Sequence, residues 1–196
     1  MIIQTLAGCV SSYLLGSIPF SYMVARMVKG VDIRFVGEGN VGARNVWHVV
    51  GKKYGAAAGI LDMSKGLGAY GLGILLGLSS WGVWLCGFSV VAGHDFPLFL
   101  KGRGGKGAAS AMGFLLGMEP LVILISGLLM GVVYFPSRNF HLAIGIGMGS
   151  IPLLWRIILR ESWAEIFLLL CFLIFLGLKR LIDEPHMRRI KKESGW

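Results

Sequence analysis

Charge is what this 196-residue chain has least of: only 15% of its residues are Asp, Glu, Lys or Arg. A soluble domain carries about 25%, so the chain lacks the polar coat that a water-dissolved globule needs. Cysteine is equally sparse. Cys9, Cys86 and Cys171 lie inside apolar stretches with neither paired nor metal-ligand spacing, which leaves buried, inert thiols rather than a disulfide framework or a metal site. No HExxH, GxSxG or GxxxxGK[ST] pattern occurs, so a zinc hydrolase, a serine elbow and a P-loop find no support. No Lys or Arg precedes Arg26. A cleaved leader with a basic head is therefore not expected, and the first apolar run is expected to be a retained span.

What fills the sequence is apolar: 55% of its residues are hydrophobic, thirty are glycine, and the mean hydropathy is +0.72. The expected fold class is an all-α integral membrane protein, a single polytopic domain over 1–196. A crossing needs roughly 17–25 mostly apolar residues. The candidates are Ile2–Ala25, Tyr54–Leu78, Trp81–Gly93, Gly107–Met118, Leu121–Phe135, Leu142–Trp155 and Ser162–Leu178. Several are short, and Gly107–Phe135 reads alternatively as one helix broken at Glu119-Pro120.

Charge placement chooses between the two counts. With seven spans and the N-terminus outside, the inner side receives 16 of the 19 basic residues, from Arg26–Lys53, Lys101 to Lys106, Arg138 and the tail. The outer side keeps Arg156 and Arg160, and Lys65 falls within a span. One span fewer would send the basic tail outside, against the positive-inside rule. About seven helices with a cytoplasmic C-terminus is therefore the expectation. The net charge of +9 sits in short loops between spans, which fits anionic lipid headgroups and not nucleic acid. The glycines read mostly as packing positions, and the chain after Leu178 as a helix end followed by frayed residues.

Two polar segments carry the chemistry. The stretch from Gly93 to Ser110 sets His94, Lys101, Arg103 and Lys106 among Gly104, Gly105 and Gly107. Such a loop can turn backbone N–H groups on an anion, helped by a helix beginning near Ala108. The segment from Asp32 to Asn45 adds Asn40, Arg44 and Asn45 as donors, with Arg suited to phosphate oxygens. Arg138 falls on the same expected side. Asp62 and Lys65 share a helix face inside a span, either as a structural pair or as part of the site. A basic, glycine-lined pocket without an evident nucleophile suits transfer from an activated donor to a phosphorylated acceptor, by positioning and charge stabilisation.

At these residues the chain resembles the bacterial acyl-phosphate:glycerol-3-phosphate acyltransferases, the PlsY family. The resemblance rests on Gly16-Ser-Ile-Pro-Phe20, Gly30-Val-Asp-Ile-Arg34, Gly39-Asn-Val-Gly-Ala43 with Asn45-Val46, and Leu61-Asp62 with Lys65-Gly66. Gly93-His94 with Phe96-Pro97, Phe99-Leu-Lys101 and Gly104-Gly-Lys-Gly107 carry its most specific part, and Ser137-Arg138 with Leu142-Ala143 a fainter one. It covers almost the whole chain. It implies seven spans in the bacterial inner membrane, an active face in the cytoplasm, and acyl transfer from acyl phosphate to the 1-hydroxyl of glycerol 3-phosphate, giving lysophosphatidate for phospholipid synthesis. Neither metal nor cofactor is expected.

The candidate catalytic residues are Arg44, His94 and Lys106. The candidate phosphate-binding residues are Asn40, Arg44, Asn45, Lys101, Gly104, Gly105, Lys106, Gly107 and Arg138. The chain departs from the family pattern at Glu38 and Arg44, where Ser and Thr are usual, at His48 for Arg, and at His141 for Ser. The tail's usual His and Asn find no match near Lys179–Asp183. Glu38 is expected either to keep Arg44 or Arg34 as counterion or simply to point to water, leaving the site untouched. The alternative functions are a catalytically altered or inactive member that binds lipid or phosphate, and, less favoured, a small transporter or scramblase. The latter is disfavoured because the polar residues gather on one side and not at mid-membrane.

Overall fold

The structure is a computed structural model that describes every residue except Ser194 and Trp196. Among the described residues all regular structure is helical: α1 (Ile2–Ser17), α2 (Phe20–Lys29), α3 (Ala43–Val49), α4 (Lys52–Leu75), α5 (Ser80–Asp95), α6 (Ala108–Met118), α7 (Pro120–Ser137), α8 (Phe140–Leu154) and α9 (Trp163–Glu193). Short 3-10 turns occupy Ile33–Phe35 and Leu98–Leu100, and a π-helical turn, Trp155–Leu159, follows α8. Among the described residues, four stretches are long and apolar enough to cross a membrane: Ile2–Lys29, Ser80–Leu100, Pro120–Ser137 and Phe140–Leu159. Helix α6 is apolar but spans only 11 residues, about 16 Å.

Two boundaries differ from the sequence reading, and the break between α6 and α7 falls where that reading divides them, each for a physical reason. The span expected over Ile2–Ala25 is interrupted at Ile18-Pro19, where Ile18 takes extended dihedrals (φ −63°, ψ 114°). Proline lacks an N–H and forces its predecessor out of the helical region. Between α6 and α7, Glu119 leaves helical geometry (φ −140°, ψ 79°) and Pro120 opens the next helix, where its missing N–H costs nothing. Gly107–Phe135 is therefore two helices. The tail, expected to fray, remains helical to Glu193. Lys179 pairs with Asp183, Arg188 with Glu184 and Arg189 with Glu193, each at i,i+4, while Met187 and Ile190 are buried.

The chain divides into two compact units, Met1–Phe114 with the stretch from Leu176 onward, and Leu115–Phe175. In the first, glycines bring helices together. A Cβ on Gly16 would stand 2.1 Å from the Val90 carbonyl oxygen, and one on Gly93 would stand 2.2 Å from that of Tyr13, so α1 and α5 touch backbone to backbone. Helices α4 and α6 cross as closely at Gly66 and Gly113. Under the polar loops, Ile33, Val41, Val46 and Leu100 close on Ala25 and Ala58 as an apolar floor. In the second unit α7 lies against α8, with Ser150 donating to the Gly147 carbonyl at 2.8 Å and to Ser126 Oγ at 3.3 Å.

Candidate active site

The first polar loop begins where Gly30 ends α2 in the left-handed region, φ +69°, a conformation that glycine adopts without steric cost. Asp32 accepts from the Arg34 backbone N–H and pairs with its guanidinium at 2.6 Å. The Arg34 side chain thereby holds the Asp32 carboxyl below its ordinary value. That pairing takes Arg34 away from Glu38. Glu38, 3% exposed, instead lies 2.7 Å from Arg44 Nη1, so the expected counterion is the Arg44 guanidinium.

Asn45 is the loop's internal clamp. Its Oδ1 accepts from the Glu38 N–H at 2.8 Å, and its Nδ2 faces the carbonyls of Ile33, Val36 and Asn40, each at 3.0 Å. Fully buried and saturated, its amide holds the loop's shape. Asn40 is buried next to it with Oδ1 unbonded among the described residues. Residues of α9 close over this loop: Ile190 packs on Gly39, and His186 Nε2 lies 3.2 Å from the Arg34 carbonyl oxygen.

The second loop is stitched to the first. Gly104 N–H donates to the Asp95 carbonyl at 3.2 Å, Gly105 N–H to the His94 carbonyl at 3.1 Å, and Val41 N–H to the Gly104 carbonyl at 3.4 Å. This corrects the expectation that Gly104 and Gly105 turn their N–H groups on a phosphate, because both groups are committed inward. Neither glycine sits at positive φ. Gly105 is glycine for lack of room, since a Cβ there would stand 2.2 Å from His94 Nε2 and 2.5 Å from the Val41 carbonyl oxygen. Among the described residues, no backbone carbonyl takes the N–H of Lys106 or Gly107, and α6 begins at the next residue.

Lys106 is half-buried, and burial lowers its pKa; Arg180, Arg44 and Lys191 push the same way, while Glu38 opposes them. Arg44 and Lys106, distant in sequence, thus come within electrostatic reach of each other and of two α9 cations. Sequence reasoning placed Arg180 and Lys191 only in a basic tail, because nothing in their spacing shows that α9 folds back to this loop. Lys101 and Arg103 are exposed at the turn, Lys101 with φ 54°. Arg138 ends α7 in the second unit, likewise left-handed at φ 51°. His48 and His141 are exposed.

Beneath the loops lies a second polar cluster. Lys65 Nζ is 2.9 Å from Asp62 Oδ1 and 3.1 Å from His94 Nδ1, and it donates to the carbonyls of Gly16 (3.1 Å) and Ile18 (2.9 Å). Ser21 Oγ donates to Asp62 Oδ2 at 2.8 Å. Asp62 and Lys65 are each 1% exposed, so every one of these groups has been taken out of water and must find its partner here. Asp95, at the end of α5, is wholly buried with neither carboxylate oxygen hydrogen-bonded among the described residues, and the charges acting on it are Lys179, Asp183 and Lys65. No group of three or more His, Cys, Asp or Glu among the described residues is arranged to hold a metal ion.

Residues 6–187 match the family described as glycerol-3-phosphate acyltransferase. A glycerol-3-phosphate acyltransferase of Desulforamulus reducens is 38% identical over 160 residues, covering 82% of this chain and 80% of its own length. Glycerol-3-phosphate acyltransferase 1 of Dehalococcoides mccartyi is 37% identical over 197 aligned positions, covering 94% of each chain. Among solved structures, the integral membrane enzyme PlsY in its glycerol 3-phosphate form superposes with a TM-score of 0.82 at 31% identity, over 97% of this chain and 93% of that one. Its lysophosphatidic acid form gives 0.80 at 30% identity with the same coverage.

Proposed function

This chain belongs to the glycerol-3-phosphate acyltransferase family, and we propose that it transfers a fatty acyl group from acyl phosphate to the 1-hydroxyl of glycerol 3-phosphate. The product is lysophosphatidate, an intermediate of phospholipid synthesis, and the leaving group is inorganic phosphate. In the reaction the acceptor oxygen bonds to the acyl carbonyl carbon, the acyl carbon–phosphate oxygen bond breaks, and the hydroxyl proton ends on phosphate. No covalent enzyme intermediate is required.

The observation that carries this reading is the family match over residues 6–187, and the charges agree with it: Arg44 of the first loop and Arg180 and Lys191 of α9 act on Lys106. Two phosphorylated substrates placed side by side repel each other, and a cation-rich loop junction offsets that repulsion. In this reading Lys106, with the N–H groups leading into α6, holds the acceptor's phosphate, and Arg44 is drawn from Glu38 toward substrate oxygens. Charge-assisted contacts of this kind position the reactants and stabilise charge developing on the carbonyl oxygen.

The site is placed on the cytoplasmic face of a bacterial inner membrane, in a chain of seven crossings with its N-terminus outside. The distribution of 16 of 19 basic residues supports that orientation. The decisive experiment supplies purified protein in lipid nanodiscs with acyl phosphate and labelled glycerol 3-phosphate. Labelled lysophosphatidate is the expected result. Glycerol 3-phosphate bound without turnover would instead favour a binding-only role, for which the Glu38–Arg44 pair is the pertinent feature, because it occupies a guanidinium that catalysis would need.

A further inference from the structure

The helix break at Ile18-Pro19 has a chemical consequence. It turns the Phe20 N–H onto the Ile18 carbonyl at 3.1 Å, in place of the Gly16 carbonyl four residues back that a continuous helix would give it, in an apolar surrounding where unsatisfied backbone groups are costly. Lys65 Nζ takes both. His94 Nδ1 lies 3.1 Å from Lys65 Nζ and 3.6 Å from Asp62 Oδ1, so one edge of the imidazole is held by that pair. Asp62 balances the lysine's charge and is itself held by Ser21, and its backbone carbonyl accepts from Ser110 Oγ at 3.0 Å on the first turn of α6. The imidazole is thus fixed by groups from α1, α2 and α4.

Its opposite edge is the surface on which the glycine loop rests. Gly105 leaves no space for a methyl group beside Nε2, and its N–H is tied to the carbonyl of that same histidine. Lys106 follows directly. The cavity between these groups, lined by Gly16, Pro19, Asp62, Lys65 and His94, measures about 10 Å³, the room of one water at most. No substrate reaches them there. Whatever they do for the reaction they do through the loop.

We infer that Lys65 and His94 are positioning residues: this buried relay from the α1–α2 break fixes where Gly105 lies and so where Lys106 presents its ammonium group to the acceptor. The inference rests on the acyltransferase reading above. It separates His94 from the groups that touch substrate, and it gives the intramembrane Asp62–Lys65 pair a task.

The test measures KM and kcat for glycerol 3-phosphate in His94→Ala, in the charge-neutral double variant Asp62→Asn/Lys65→Met, and in their combination, with thermal unfolding followed alongside. His94→Ala should raise KM by about 10- to 100-fold, the size expected when a binding group is misplaced by about 1 Å. The double variant should do the same, and the combination should raise KM no further than the double variant alone, because Lys65 reaches the glycine loop through His94; its hold on the Gly16 and Ile18 carbonyls is read separately in the melting temperature. His94→Asn, whose Oδ1 takes the place of Nδ1 toward Lys65, should recover part of the loss.

Effects that multiply in the combination would overturn the inference, as would variants that melt earlier yet keep wild-type KM. Failure of all of them to fold, His94→Asn included, would mark the cluster as purely architectural and overturn it too. Wild-type protein without acyl transfer would sink the proposed function instead. The relay would then be judged on glycerol 3-phosphate binding by calorimetry in the same variants, with unchanged affinity counting against it.

Discussion

A lysine half withdrawn from water beside Arg44, Arg180 and Lys191 holds its proton less firmly than a free one, and a bound dianion reverses that. Lys106→Ala should therefore raise KM for glycerol 3-phosphate by about 10- to 150-fold, the equivalent of one charge-assisted hydrogen bond of roughly 1.5–3 kcal/mol, with kcat little changed. The pH dependence has a definite sign. Only protonated Lys106 attracts phosphate, and its pKa lies below lysine's usual 10.5, so the wild-type KM should climb with rising pH sooner than a free lysine would allow. In Lys106→Arg, which stays charged, that climb should vanish. The lysine itself was legible, since glycines around a cation between two apolar runs point to an anion. Its α9 neighbours were not, because a contact between residues more than seventy positions apart leaves no local pattern. Asn45 misleads in the opposite way: a donor beside an arginine looks like a ligand, yet its Oδ1 and both N–H groups turn inward, onto the loop's own backbone.

Helices of this chain meet through glycine, and two positions on α4 separate close approach from mere abundance. A Cβ on Gly66 would fall 1.8 Å from the Ser110 carbonyl oxygen, a backbone atom that cannot swing aside, whereas one on Gly71 meets nothing within 4 Å. Gly66→Ala should lower the thermal midpoint and cost about 1–3 kcal/mol or more, as overpacking does. Gly71→Ala should be neutral or stabilising by up to about 1 kcal/mol, since it only removes glycine's entropic penalty in a helix. Hydropathy alone outlined α5, α7 and α8 to within a few residues. It misjudged helix ends governed by other physics: Pro19 cut an apolar run that looked continuous, and i,i+4 ion pairs carried α9 through residues that looked too charged to remain ordered. Apolar content reports solubility in lipid, and backbone chemistry decides where a helix stops.

At the scale of the whole molecule the testable quantity is sidedness. With seven crossings, Ser137→Cys and Ser194→Cys should both be shielded from a membrane-impermeant maleimide in intact cells and react in inverted vesicles, although Ser194 lies outside the described residues. Opposite behaviour at the two positions would remove the seven-crossing arrangement and, with it, the shared cytoplasmic site. The interruption at Ile18-Pro19 also has a meaning in time. A ribosome delivers this chain N-terminus first, so the Gly16 and Ile18 carbonyls are made before the lysine that holds them both. Ile18 has the Phe20 N–H two residues on, but Lys65 follows 47 residues after Ile18, and His94 another 29 after that. During that interval the Gly16 carbonyl is without its ammonium partner, and the contacts seen here form only once α4 and then α5 are made. Assembly of the first unit therefore has a built-in order, in which the arrival of His94 ends the wait begun at Pro19.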